Sequence, residues 1–277
     1  LGELSEKIHD MGLKFGLWLE PEMINEDSDL YRAHPDWVLR DPGRKTVVAR
    51  NQLVLDMGRQ EVQEYLYDSI AKLLSDAQIE YLKWDFNRSL SDVYSNALPA
   101  DRQGEAAHRF VLGTYALLER ITTAFPDVLI EGCAGGGGRF DAGMLFYCPQ
   151  IWCSDNTDPI ARLKIHRGTS YGYPLCAMGS HVSASPNHQT GRETTLATRG
   201  IVAMTGIFGY ELDPDKLSEM EKEEIREQIR EYRISVGLVM NGTVYRLGEE
   251  GSSTPFHCWE IVSRDRNTLL VNLVFTE

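Results

Sequence analysis

A short apolar run, then a polar or glycine-rich loop, then an amphipathic helix: this order recurs through most of the 277-residue chain. The apolar runs are residues 14–20 (KFGLWLE), 79–85 (IEYLKWD), 127–133 (DVLIEGC), 150–155 (QIWCSD), 174–179 (PLCAMG) and 206–212 (GIFGYEL). Short, nearly continuous hydrophobicity suits strands buried on both faces of a parallel sheet. Between them, residues 61–77 place Val62, Leu66, Ile70, Leu73 and Leu74 on one helical face, and residues 104–125 do so with Phe110, Tyr115, Leu118 and Ile121. A third helix is predicted over 214–240, with Asp213 as N-cap and Pro214 at the first helical position; Glu221, Glu223, Glu224 and Glu227 read as its solvated face.

Strand–loop–helix alternation means a parallel α/β fold, either a doubly wound sheet or a barrel. A doubly wound sheet wants a glycine-rich turn after its first strand, and residues 14–26 hold none. Polar residues instead mark the C-terminal ends of the runs: Glu20, Asp85, Cys133, Asp155, His181 and Glu211. That is where a (β/α)8 TIM barrel keeps its active site. Six runs are two short of eight. The chain opens at Leu1 inside an amphipathic pattern (Leu1, Leu4, Ile8, Met11) and stops within strand-like sequence at 271–277 (VNLVFTE). The expectation is a piece of a longer polypeptide: a barrel over residues 1–240 lacking its first two strands, then the beginning of a β-sandwich over 241–277. In that second part 242–246 (GTVYR), 257–263 (HCWEIVS) and 267–274 alternate like antiparallel strands. Two open barrel edges invite aggregation, so residues 1–277 alone are expected to be poorly soluble or inactive.

The net charge of −13 and pI near 5.0 disfavour nucleic acid and anionic membranes as partners. No apolar run approaches the roughly 18 residues of a transmembrane helix. Five cysteines without a CxxC pair argue against a disulfide framework or structural zinc and read as reduced thiols. The seven histidines form no HExxH, and GxSxG is absent, which counts against metal and serine hydrolases. His188 reads as a structural residue or a loop hydrogen-bonder. The run Gly135–Gly138 lacks the GxxxxGK[ST] pattern of a phosphate loop and reads as a tight turn bringing backbone close to a ligand. No cofactor or metal is called for.

Two aspartates at different strand ends remain: Asp85 in KWDFNR and Asp155 in WCSDNTD. Two carboxylates facing one pocket are what glycosidic bond cleavage requires, and about 5–5.5 Å between them is the mark of retention. Lys83, two residues before Asp85 on the strand, points to the same side, where an ammonium favours an ionised carboxylate. Asp155 must arrive protonated, and Trp152 with nearby apolar groups is the candidate source of desolvation. A strand-end aspartate can simply cap the next helix, but Asp158, followed by Pro159, suits that task better than Asp155. Trp18 and Trp84 sit at strand ends, where an indole face can stack on the C–H face of a sugar; burial in the core is the alternative for each.

These residues together resemble the α-galactosidases of glycoside hydrolase family 36. The resemblance rests on eight blocks in the family's order: GLWLEPEM (16–23), SDLYRAHPDWVL (28–39), RNQLVLD (50–56), KWDFNR (83–88), EGCAGGGGRFD (131–141), SDNTD (154–158), RLKIHRGTSYGYP (162–174) and MGSHVSASPNHQTGR (178–192). It implies a retaining mechanism with Asp85 as nucleophile and Asp155 as general acid/base, acting on melibiose- or raffinose-type oligosaccharides. It implies Trp18 as part of the sugar platform, Arg50, Lys83 and Asn87 as ligands to galactose hydroxyls, and Cys133 and Gly135 lining the same subsite. It also implies a barrel between an N-terminal β-sandwich and a small C-terminal β domain, and a homotetramer in the full-length form. The family's Asp-Asp-Gly-Trp segment is absent here, and Asn156 stands where Asp is common. A raffinose-type transglycosylase would use the same nucleophile with a sugar hydroxyl in place of water. A non-catalytic sugar-binding fragment is the alternative from another class, disfavoured by the presence of both Asp85 and Asp155.

Overall fold

The computed structural model describes residues 1–248 and 256–276. Two compact units divide the chain, Leu1–Pro149 and Gln150–Glu277.

In the first unit, α1 (Gly2–Asp10) precedes β1 (Gly16–Leu19). Two short strands, β2 (Met23–Ile24) and β3 (Leu53–Val54), pair antiparallel across α2 (Asp29–Ala33). Then follow α3 (Gln60–Ala77), β4 (Tyr81–Asp85), α4 (Ala106–Ala124), β5 (Leu129–Cys133) and α5 (Ala142–Tyr147). The central strand is β4, parallel to β1 on one side and to β5 on the other. Its register sets Lys83 beside Trp18 and Asp85 beside Cys133.

The predicted helices form because their apolar residues recur at the helical period. Val62, Leu66, Ile70, Leu74 and Ala77 of α3 are buried, as are Phe110, Leu117, Leu118 and Ile121 of α4. Leu73 and Tyr115, at the margins of these stripes, are half-buried. In α4 a Cβ on Gly113 would come within 1.7 Å of the Met57 carbonyl oxygen, so the helix backbone packs directly on that loop. In α1 the predicted stripe stays outside: Leu1, Leu4 and Met11 are exposed, and Ser5 is the buried residue.

The second unit holds β6 (Gln150–Trp152), α6 (Pro159–Thr169), β7 (Met178–Ser183), α7 (Leu196–Ala203), β8 (Ile207–Glu211) and α8 (Glu219–Asn241). β7 is parallel to both β6 and β8. An antiparallel sheet follows, with β10 (Phe256–Val262) between β9 (Thr243–Leu247) and β11 (Leu269–Phe275). These strands cover nearly the residues whose alternation marks them, although 249–255 and 277 of the expected β-sandwich segment lie outside the described residues. Trp259 of β10 packs in a core with Leu163, Val202 and Val274.

Three boundaries differ from expectation. The run at 150–155 is strand only to Trp152, which leaves residues 153–155 in a loop. The run at 174–179 starts as a 3-10 turn, Leu175–Ala177, and the strand is Met178–Ser183. Pro174 has no N–H to give to a ladder, so the chain turns there before extending. His181 therefore lies within β7 rather than at its end. The long helix begins at Glu219, because Ser218 and Glu221 form a reciprocal capping box. Asp213 caps only the short turn Pro214–Lys216. Among the described residues six parallel strands, three in each unit, alternate with helices, so the chain is parallel α/β with an antiparallel sheet after them.

Candidate active site

Asp85 ends β4 at 5% exposure, and its carboxylate is surrounded by donors. The Phe86 amide donates to Oδ1 at 2.8 Å; Trp18 Nε1 and Asn87 Nδ2 donate to Oδ2 at 3.1 and 2.7 Å. The Cys133 thiol, brought alongside by the parallel register, bonds the carboxylate too. Burial pushes the Asp85 carboxyl up, but these hydrogen bonds outweigh it and hold the group below the ordinary aspartate value. The Cys133 thiol is itself pushed up to about 12, chiefly by burial, so it stays protonated and able to donate.

Around this centre lies a second set of contacts. Glu20, one residue past β1, accepts from Asn87 Nδ2 through Oε1 and from Gln52 Nε2 at 2.8 Å through Oε2. Arg50 lies 3.3 Å from the same Oε1. Asn87 Oδ1 accepts from the Gly135 amide at 3.1 Å, so both ends of the Asn87 side chain are fixed. Gly135 has φ +54°, a left-handed conformation that glycine adopts without penalty. Arg50 and Asn51 adopt φ 54° and 58° in a two-residue turn closed by Ala49 and Gln52. Non-glycine residues held there cost about 1–3 kcal/mol each and concentrate at functional sites.

Lys83 also engages the neighbouring strand. Its Nζ pairs with Glu131 Oε1 at 3.0 Å, and the fully buried Glu131 also accepts from the Tyr81 hydroxyl. The donors that lower the Asp85 pKa most are neutral: Asn87, Cys133, Trp18 and the Phe86 amide. The two tryptophans also separate. Trp18 is 50% exposed beside Asp85, whereas Trp84 is fully buried and donates to Glu22 at 2.7 Å. Strand alternation explains this, because Trp84 faces away from Lys83 and Asp85. Of the residues expected near Asp85, Trp18, Asn87 and Cys133 touch it; Gly135 reaches it through Asn87, and Arg50 through Glu20 and then Asn87. Sequence reasoning marks Glu20 only as a strand-end carboxylate and passes over Gln52 and Glu22. The signal for Glu22 is a charge one turn from an apolar strand: it is fully buried and bonded by Trp84, Thr114 and Arg139.

In the second unit, Asp155 sits on the loop between β6 and α6 and is exposed. Its Oδ1 accepts from Trp152 Nε1 at 3.0 Å. Trp152 therefore serves Asp155 as a hydrogen-bond donor, not as the apolar cover expected of it. Asp158 caps α6, accepting from the Ile160 amide at 3.0 Å, and pairs with Arg192 at 2.9 Å. Asn156 turns its Oδ1 back to the Asp158 amide at 3.1 Å, which makes it a loop-forming residue. His188 is exposed, while the neighbouring Asn187 is buried and bonds Thr157 Oγ1 at 3.0 Å.

An aspartate held below its ordinary pKa at the C-terminal end of a parallel strand, beside a half-exposed indole, makes a carboxylate-centred site on a parallel α/β framework. The chain belongs to the melibiase family, whose model matches residues 1–242. It is 53% identical over 274 residues to a bifunctional α-galactosidase/sucrose kinase, AgaSK, from Mediterraneibacter gnavus, covering 99% of this chain and 28% of that protein. The crystal structure of the family 36 α-galactosidase AgaA from Geobacillus stearothermophilus superposes with a TM-score of 0.95 at 51% identity, over 98% of this chain and 38% of that one. A variant of AgaA has been solved in complex with raffinose, with the same TM-score, identity and coverage. The chain thus spans well under half the length of each of these proteins.

Proposed function

We propose that this chain carries most of the catalytic part of a retaining α-galactosidase that hydrolyses terminal α-linked galactose from raffinose- and melibiose-type oligosaccharides. The observation that carries the reading is the environment of Asp85: a carboxylate held ionised by neutral donors beside an exposed indole. In this reading Asp85 attacks the anomeric carbon while Asp155 gives its proton to the departing glycosidic oxygen. A β-galactosyl ester forms on Asp85. Asp155 then takes a proton from water, which attacks the anomeric carbon, breaks its bond to the Asp85 carboxylate and restores the α configuration. Trp18 is the platform for the sugar's C–H face. Arg50, Lys83 and Asn87 bond galactose hydroxyls, with Cys133 and Gly135 lining the subsite. Residues 1–240 belong to a (β/α)8 barrel without its first two strands, and 241–277 begin a β-sandwich domain. The full-length protein assembles as a homotetramer. The raffinose complex of AgaA and the family match support this reading.

The test is proton NMR of the intact protein acting on raffinose. Galactose should appear first as the α anomer and mutarotate afterwards. Initial release of the β anomer, or no galactose at all, would overturn the proposal.

A further inference from the structure

The loop that carries Asp155 is gripped from below by one buried cation. Arg162, on the first turn of α6, is 3% exposed. Its Nε donates to the Asn156 carbonyl at 2.7 Å, and its NH2 donates to the Ser154 carbonyl. These are the two peptide carbonyls that flank Asp155 in sequence. NH1 lies 3.3 Å from both the Gly179 carbonyl, on β7, and His166 Nε2. The guanidinium carbon also stands 4.3 Å from the centre of the Trp152 ring, and Trp152 is the indole that donates to Asp155. One planar group therefore fixes Asp155 twice, through the backbone on either side and through the ring that bonds its carboxylate. The rigid fork of an arginine suits such a task, since a lysine offers a point charge without the fork. His166, fully buried, is held neutral because burial pulls its pKa down to about 3 with the arginine charge adding to the effect, so it does not compete for the carbonyls as a cation.

We infer that Arg162 is the positioning residue of the acid/base: it sets where Asp155 presents its proton while touching no substrate. This rests on the assignment of Asp155 as general acid/base. Trp152 occupies Oδ1, so the transferable proton belongs on Oδ2, and a loop that wanders by an ångström misdirects it. Positioning losses of this size are known to cost about 10²-fold in rate. The cost should fall only where protonation matters, on substrates with poor leaving groups.

The experiment measures kcat/KM for raffinose and for a dinitrophenyl α-galactoside, whose phenolate leaves without protonation, in intact protein carrying Arg162→Ala, Arg162→Lys or Asp155→Ala. Arg162→Ala should lose roughly 30–100-fold on raffinose but less than about fivefold on the aryl galactoside. Arg162→Lys, which restores the charge and part of the bonding, should fall between Arg162→Ala and the parent on raffinose. Equal losses on both substrates in folded Arg162 variants would mean a merely structural role and overturn the inference. If Arg162→Ala does not fold, the ratio of the two losses in Arg162→Lys decides in the same way. Asp155→Ala separates the two claims. If it shows the leaving-group selectivity and the Arg162 variants do not, the positioning role alone fails. If it shows none, the acid/base assignment fails and takes the positioning role with it.

Discussion

Asp85, the last residue of β4, and Asp155, in the loop after β6, are the same side chain in opposite surroundings. Asp85 is almost fully buried and wrapped by the Phe86 amide, Asn87, Trp18 and Cys133. Asp155 is exposed on a loop and leans on the Trp152 indole. The difference suits the double displacement proposed above. A nucleophile must be ionised in the resting enzyme, and fixed donors secure that better than a nearby cation that could pair elsewhere, as Lys83 does with Glu131. An acid/base must gain and lose a proton in every cycle, and a carboxylate crowded by donors would be locked in its anionic form.

The largest effect should come from exchanging roles by deletion. Asp85→Ala should abolish turnover, with azide restoring cleavage and yielding β-galactosyl azide, the inverted product. Asp155→Ala should lose roughly 10²–10⁴-fold on raffinose yet cleave activated aryl galactosides, giving α-galactosyl azide when azide is added. The opposite pattern of azides would reverse the two assignments.

A smaller change tests why Asp85 is ionised. Asn87→Ala removes a charge-assisted donor worth about 1.5–3 kcal/mol, so kcat/KM should fall roughly 10–100-fold. Because Asn87 lowers the Asp85 pKa, its loss raises it, and the acid limb of the kcat/KM–pH profile should move to higher pH. A limb that stays in place would show that another group governs it.

The mildest change is Trp18→Phe, which keeps an aromatic platform and deletes only the N–H. It should cost roughly fivefold to tenfold in kcat/KM and nudge the same limb upward. Trp18→Ala, losing the platform too, should raise KM as well; equal effects of the two substitutions would mean that the ring face does not bind sugar.

How much of this was legible beforehand depended on the range of the interaction. The six parallel strands and the long helices follow from local periodicity, and Asp158 as a cap follows from the Asp-Pro dipeptide. The capping of α8 by Ser218 was equally local and was obscured only by a competing Asp-Pro pair at Asp213. The Lys83–Glu131 pair is not legible in the sequence, because same-face geometry on one strand says nothing of the neighbouring strand, where Glu131 stands opposite Lys83 in register. The contact of Gln52 with Glu20 is hidden for the same reason: it exists only once separate segments meet. Trp18 and Trp84 could not be told apart at strand ends until the pleat assigned each a face.

That sorting of tryptophans has a spectroscopic consequence. Trp37, Trp84, Trp152 and Trp259 are buried, and Trp18 alone of the five meets water. The intrinsic emission of the folded protein is therefore divided by location. Four indoles are shielded from a water-borne quencher such as acrylamide, and the quenchable fraction reports from beside Asp85. A sugar stacked on that ring would shield it in turn, so occupancy could be read without a label, even in variants that no longer turn over.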